Sequence, residues 1–315
     1  MFSITREDFF GEETIKLSDP ITGAYTSIIP SFGGNLNELV LEETGRLHSI
    51  ISGDASLDSL KGEQVNFYRG AKLSPFPNRV ADGQYNFRDQ IYTLNKNNGA
   101  YALHGLIWNC PFRIVREEVT ADFAVIELTY DYISNYTGYP FNYSICIVYR
   151  LECFQLICFT TLQNKGNETI PIGDGWHPYF HVNNMDLMKL KLPACRQLEM
   201  DGCIPTGSYV ESDLSNKEVS LKDQELDHCF ELIVENGITE THLIDQDHKR
   251  EIVLWQECSE NKYSFLQIYI PPDRKSVAIE PMTCAPDAFN NKMGLIELEP
   301  DERIKISFGI QLKPL

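Results

Sequence analysis

No stretch of the 315-residue chain is apolar for long enough to cross a bilayer, and no basic run interrupts its acidity. The first absence argues against a membrane span. The second, with 45 acidic residues against 27 basic and a formal net charge of −18, removes nucleic acid and anionic membrane as natural partners. A substrate with several phosphates is disfavoured for the same reason, unless a local basic pocket overrides the field. The nine cysteines contain no CxxC pair, so a zinc ribbon or a thioredoxin-like motif has no support. Several sit in apolar runs such as SICIVY and QLICFTTL, where a thiol behaves as a small buried hydrophobe. That usage fits a reducing, cytoplasmic compartment. The start, MFSITREDFFGEETIKL, carries acidic residues where a secretory signal needs an unbroken apolar core, so the protein is expected to be soluble and not exported. No Gly/Ser- or Pro-rich linker, low-complexity tract or fixed-period repeat divides the chain, so residues 1–315 are read as a single domain. A helical stripe sustained over three turns is also missing.

Period-two alternation fills the space these absences leave. The segment RVADGQYNFRDQIYTLNKNNGAYALHG offers DG and NG turns between strand candidates. FRIVREEVTADFAVIELTYDY and FNYSICIVYRLECFQLICFTTLQNKGNET read as two hairpins, turning near Thr120 to Asp122 and near Glu152 and Cys153. LDHCFELIVENGITETHLIDQDHKREIVLWQE and the final IKISFGIQLKP continue the pattern. Many short strands with polar turns predict an all-β fold, a large antiparallel β-sandwich or barrel. In such a fold the working residues come from distant stretches and converge on one sheet face and its loops.

Four stretches hold the candidates. KLSPFPNRVADGQYNF places Asn78 and Arg79 after two prolines, and ALHGLIW places His104 before a glycine. In GDGWHPYF, Pro178 pushes His177 toward an extended backbone. Its neighbours Trp176, Tyr179 and Phe180 either form the wall of a sugar-binding groove or are simply core. VAIEPMTCAPDAFNN ends an apolar run on Glu280, and a carboxylate is seldom buried without a task or a partner. Each of the others has a structural alternative: Arg79 as a surface ion-pair partner, His104 as a hairpin cap, His177 as a hydrogen-bonded core histidine. His177 and His181, four apart on a proline-interrupted segment with no HExxH glutamate, are weak as zinc ligands, and no metal or cofactor is expected. Asp287 either caps a turn or touches substrate.

NRVADGQY, LHG, WHPYF and AIEPMTCAPDAFNN, in this order and at these separations, resemble the aldose 1-epimerase (galactose mutarotase) family. The motifs run from about Gly70 to Asn291. The resemblance implies a galactose mutarotase-like β-sandwich and a free sugar as the small-molecule substrate. By position, Glu280 matches the general base that removes the proton from the anomeric hydroxyl, and His177 the general acid that protonates the ring oxygen. Asn78, Arg79, His104 and Asp227 match residues that hold sugar hydroxyls, and Gln267 a glutamine on the strand leading toward Glu280. Opening a cyclic hemiacetal requires a proton off the C1 hydroxyl and one onto the ring oxygen, so base and acid must coexist. Ordinary values of about 4.3 for Glu and about 6.5 for His suggest that modest tuning suffices.

The sequence departs from the family at the pocket rim: at Ser74 to Pro77, at Leu106, at Ile270 to Asp273, and at Pro281 to Thr283 after the glutamate. These changes leave the identity of the sugar open, as well as the oligomeric state. A hexose-6-phosphate 1-epimerase would need Arg69, Lys72, Arg79 and Arg88 to converge on a phosphate. Glycoside hydrolysis would pair Glu280 with Asp227 or Asp174 and leave both histidines without a role. The main alternative outside catalysis is a carbohydrate-binding or regulatory module on the same fold.

Overall fold

The computed structural model describes residues 1–51, 53–54, 60–61, 67–233 and 237–315, and nearly all of the regular structure in them is strand. Two large antiparallel sheets dominate, one of 13 strands and one of nine among the described residues. The two hairpins expected from alternation form as read, Arg113–Val119 with Phe123–Tyr132 and Tyr143–Glu152 with Gln155–Asn164. Tyr143–Glu152 is buried at every second residue, the signature of a strand with one face on a core. That core takes Ile15, Leu17 and Leu39 from the larger sheet and Ile126, Ile145 and Ile310 from the smaller, so the sheets pack face to face. The run from LDHCF to LWQE becomes Asp227–Leu232, Gly237–Asp245 and Arg250–Cys258; its residues 234–236 lie outside the described set.

The turns differ in detail from the sequence reading. Asp82-Gly83 closes a short 3-10 turn, Ala81–Gly83, between the strands Arg79–Val80 and Gln84–Phe87. The tight hairpin pairs Gln84–Phe87 with Gln90–Thr93 and turns at Arg88 and Asp89, with φ of 49° and 62°. Both residues therefore occupy the left-handed region that a two-residue primed turn requires. Ala288–Asn291 forms a four-residue α-helix.

The larger sheet positions the site. Its strand Ser276–Met282 is buried at every residue and lies between Phe265–Tyr269 on one side and the short strands Gly175–His177 and Tyr179–His181 on the other. Pro178, which has no N–H to give a ladder, separates those two short strands.

Candidate active site

Register alone places most of the candidates on one face. Asp227 lies opposite Tyr269, Tyr269 opposite Ala278, and Ala278 opposite Tyr179, a lateral row across four strands. One step along, Cys229, Gln267 and Glu280 form the next row, and His177 stands beside it at the Pro178 break. Because side chains alternate, His177 and Tyr179 share the pocket face while Trp176 and Phe180 turn away. Trp176 packs against Tyr149 and Phe308, and Phe180 is fully buried in the main core. Of the three rings read as a possible wall, Tyr179 alone lines the pocket; the other two are core, for this reason of parity.

The NR and LHG motifs meet through a two-residue ladder. Arg79–Val80 pairs with Ala102–Leu103, so Asn78 and His104 are neighbours just beyond its end. The His104 amide donates to the Asn78 carbonyl at 2.8 Å, and the Asn78 amide donates to His104 Nδ1 at 3.3 Å. An Nδ1 that accepts leaves the imidazole proton on Nε2, so a neutral His104 is a donor at its other edge. Both residues have positive φ, 54° and 63°, and the reciprocal pair of bonds holds that unfavourable backbone in place. Gly105 follows because a Cβ there would lie 2.2 Å from the Ser74 carbonyl oxygen.

His177 Nε2 lies 3.4 Å from Glu280 Oε1, with both side chains buried. The His177 ring stacks on Tyr179, centroids 4.8 Å apart and planes at 8°, and meets His104 edge-on at 5.2 Å. Gln267 donates to Asp227 Oδ1 at 2.6 Å, and Arg79 donates to Asn78 Oδ1 at 3.2 Å. Asn78, Arg79, His104, His177, Asp227, Gln267 and Glu280 all line one cavity of about 130 Å³. The sequence reading did not assign Asn98, Leu103 or Tyr269 a place in it. Tyr269 was legible as the residue two along from Gln267 on the same strand face; Asn98, in the NG turn, carried no signal.

Electrostatics correct one expectation. Burial pushes the Glu280 carboxyl well above its usual range, with Asp227 adding to the shift and Arg79 opposing it. Burial likewise drives the His177 imidazole down to about 3, and His104 is lowered by burial, His177 and Arg79. The tuning is therefore large, because desolvation penalises both charged forms. A neutral carboxyl with a neutral imidazole holds the same single proton as a carboxylate with an imidazolium. The two states differ only in where that proton sits across the 3.4 Å contact. Three buried polar atoms of the lining residues, Glu280 Oε2, His177 Nδ1 and Arg79 Nε, have no hydrogen-bond partner among the described residues. Buried groups in this condition are rare, and a polar ligand is one way to satisfy them.

The remaining candidates lie elsewhere. Asp174 is sealed in an ion pair with Lys72, both side chains fully buried, and also accepts from Tyr263 at 2.8 Å, so it does not serve the pocket. Asp287 accepts from the Ala81 amide at 2.9 Å and from Asn290 at 2.7 Å, tying the 3-10 turn to the short helix. His181 contacts Asn183, and among the described residues no three His, Cys, Asp or Glu gather as a metal site.

The family model for aldose 1-epimerase matches residues 13–311, nearly the whole chain. Among solved structures, a galactose mutarotase-like protein from Clostridium acetobutylicum superposes with a TM-score of 0.86 at 21% identity, covering 100% of this chain and 99% of that one. Galactose 1-epimerase from Lactobacillus acidophilus NCFM gives 0.80 at 17% identity, covering 100% and 99%. These likenesses show the galactose mutarotase-like fold. The chain belongs to the aldose 1-epimerase family. Among curated proteins it is 29% identical to the Escherichia coli (strain K12) protein YihR over 95% of this chain and 92% of that protein. It is also 24% identical to the aldose 1-epimerase of Streptococcus thermophilus over 89% and 88%.

Proposed function

We propose that the protein interconverts the α and β anomers of a free, neutral aldose by general acid/base ring opening and reclosure. The observation that carries this reading is the buried contact between Glu280 and His177 inside a pocket lined by hydroxyl-binding side chains. The two oxygens that exchange protons in a hemiacetal hang from the same carbon, so the base and the acid must be close neighbours. A 3.4 Å separation meets that requirement.

The C1 hydroxyl donates to Glu280, whose Oε2 otherwise lacks a partner, and the ring oxygen accepts from His177. These contacts favour the carboxylate–imidazolium arrangement that burial disfavours in the empty pocket. Glu280 then removes the hydroxyl proton as His177 protonates the ring oxygen and the C1–O5 bond breaks. Rotation about C1–C2 presents the other carbonyl face, and reclosure with the roles reversed gives the other anomer. His104, Asn78 and Arg79 hold hydroxyls on one side of the ring, and Asp227 with Gln267 on the other.

A sugar phosphate fits less well. Of Arg69, Lys72, Arg79 and Arg88, Arg79 is the one found in the pocket lining; Lys72 is sealed against Asp174, Arg88 lies in the hairpin turn, and Arg69 stacks on Tyr179. Polarimetry on freshly dissolved α-D-glucose and α-D-galactose tests the proposal. Wild type should speed the approach to equilibrium, and Glu280→Gln and His177→Asn should each slow it by about 10² to 10⁴. A wild type that binds one of these sugars yet matches the buffer blank would make the protein a carbohydrate-binding module instead.

A further inference from the structure

The two histidines of the pocket are held in different ways. His104 Nδ1 accepts from the Asn78 amide, and that bond sets the direction of its ring. His177 Nδ1 is buried and has no hydrogen-bond partner among the described residues. A catalytic imidazole is ordinarily oriented by a carboxylate or carbonyl at the nitrogen turned away from the reaction. In His177 the main-chain acceptor that favours the charged ring is the residue's own carbonyl, which already takes the Gly70 amide at 2.9 Å. The backbone is thereby pinned, but among the described residues no neighbour turns the ring by a hydrogen bond at Nδ1. Its Nε2 faces Glu280 Oε1 at 3.4 Å, so a wrong ring angle would act directly on the proton transfer.

What meets the ring instead is an aromatic face. Tyr179, two residues on across Pro178, lies parallel to the imidazole, with centroids 4.8 Å apart and planes at 8°. Tyr179 is itself firmly placed. Its hydroxyl donates to the Phe67 carbonyl at 2.9 Å, its backbone pairs with Ala278, and the Arg69 guanidinium carbon lies 4.8 Å from its ring centre. Burial, with Glu280 adding to it, pushes the phenol up, so the hydroxyl keeps its proton and directs it at Phe67 rather than at a sugar. The face of the ring is therefore the part of Tyr179 that can act on the chemistry. An imidazole that gains a proton becomes a cation over an electron-rich surface, an attraction that grows where water is excluded. We propose that Tyr179 is the positioning residue of the general acid: its ring face stands in for a hydrogen-bond acceptor, fixing the plane of His177 and favouring its imidazolium. The inference rests on the anomerase reading of the pocket and adds to it the group that orients the acid.

The test is polarimetry on whichever of α-D-glucose and α-D-galactose wild type converts faster, in wild type, Tyr179→Leu and Tyr179→Phe, and in proteins with 4-fluoro-, 3,5-difluoro- or pentafluorophenylalanine at position 179. Tyr179→Leu should lower kcat by about 10- to 100-fold with KM held within about threefold. Tyr179→Phe, which restores the face without the hydroxyl, should recover all but about threefold of that loss. The fluorinated rings keep the shape of phenylalanine and withdraw charge from its face, so kcat should fall step by step along the series, by about tenfold in all. A side chain that served packing alone would not follow the fluorine count, and this series decides the matter if Tyr179→Leu does not fold. In the sugar-free protein, the His177 ring protons, assigned with His177→Asn, should resonate upfield in wild type and in Tyr179→Phe, as protons above an aromatic face do. Ring protons that are not shifted, a Tyr179→Leu as active as wild type, a Tyr179→Phe as poor as Tyr179→Leu, or a flat fluorine series would each overturn the inference and leave the anomerase reading standing. A wild type that converts no aldose removes that reading, and this inference with it.

Discussion

Glu280 and His177 each sit where water cannot stabilise a charge, and that shared condition makes them a unit. With Glu280 raised and His177 lowered, the pair keeps one proton over a wide range. Adding a second proton requires acidity below the ordinary imidazole range, and removing the first requires a pH above the ordinary carboxylate range. The pH profile of kcat/KM should therefore show a broad plateau, its acid limb below the usual histidine value and its alkaline limb above the usual glutamate value. An acid limb centred near 6.5 would contradict this origin. Lys72 and Asp174 form another buried ionic pair, on the opposite side of the His177 strand, with Lys72 Nζ 4.5 Å from the centre of the Trp176 ring. Lys72→Met leaves the Asp174 carboxyl buried without its cation and should cost about 3–5 kcal/mol in urea unfolding. Lys72→Met with Asp174→Leu should recover most of that loss, because no charge is then stranded.

At the level of elements, the pocket is an outcome of strand parity. Two strand faces alternate, and the face carrying Glu280, Gln267, Tyr269 and Asp227 is the one that His177 and Tyr179 join across the Pro178 break. Much of this was legible: alternation placed both long hairpins, and the AIEP run marked a buried glutamate. The fate of Trp176 and Phe180 was not, because WHPYF does not say which face meets the core. The primed turn at Arg88-Asp89 also escaped notice, since arginine is not a usual choice for its first position. That choice has a measurable consequence: Arg88 at φ 49° pays the steric cost of an L side chain in the left-handed region. Replacing Arg88-Asp89 by Asn-Gly should raise stability by about 1 kcal/mol, read as a higher urea midpoint at unchanged m-value.

For the molecule as a whole, the net charge of −18 sets the field in which a ligand arrives. A neutral sugar feels little of it. Turnover of glucose or galactose should therefore stay within about twofold between roughly 0.05 and 0.5 M NaCl, whereas an anionic substrate would gain from the added screening. A marked rise with salt, measured by the same polarimetric assay, would point to a charged substrate. Two sheets packed face to face also support the site. His177 and Glu280 lie on paired strands of the larger sheet, and the smaller sheet covers that sheet's other face.

The ordered motifs, through the family resemblance they carry, named seven of the residues that share one pocket, while alternation and turn residues, which are local properties, by themselves determined an antiparallel β protein. They did so because a strand's period is written in its own side chains and does not depend on its neighbours. Strand order and the joining of NR to LHG through a two-residue ladder were decided by tertiary structure alone. So was the protonation of the pair: the pKa of a carboxyl or an imidazole is set by what surrounds it in space, and residues far apart in sequence supply that surrounding here.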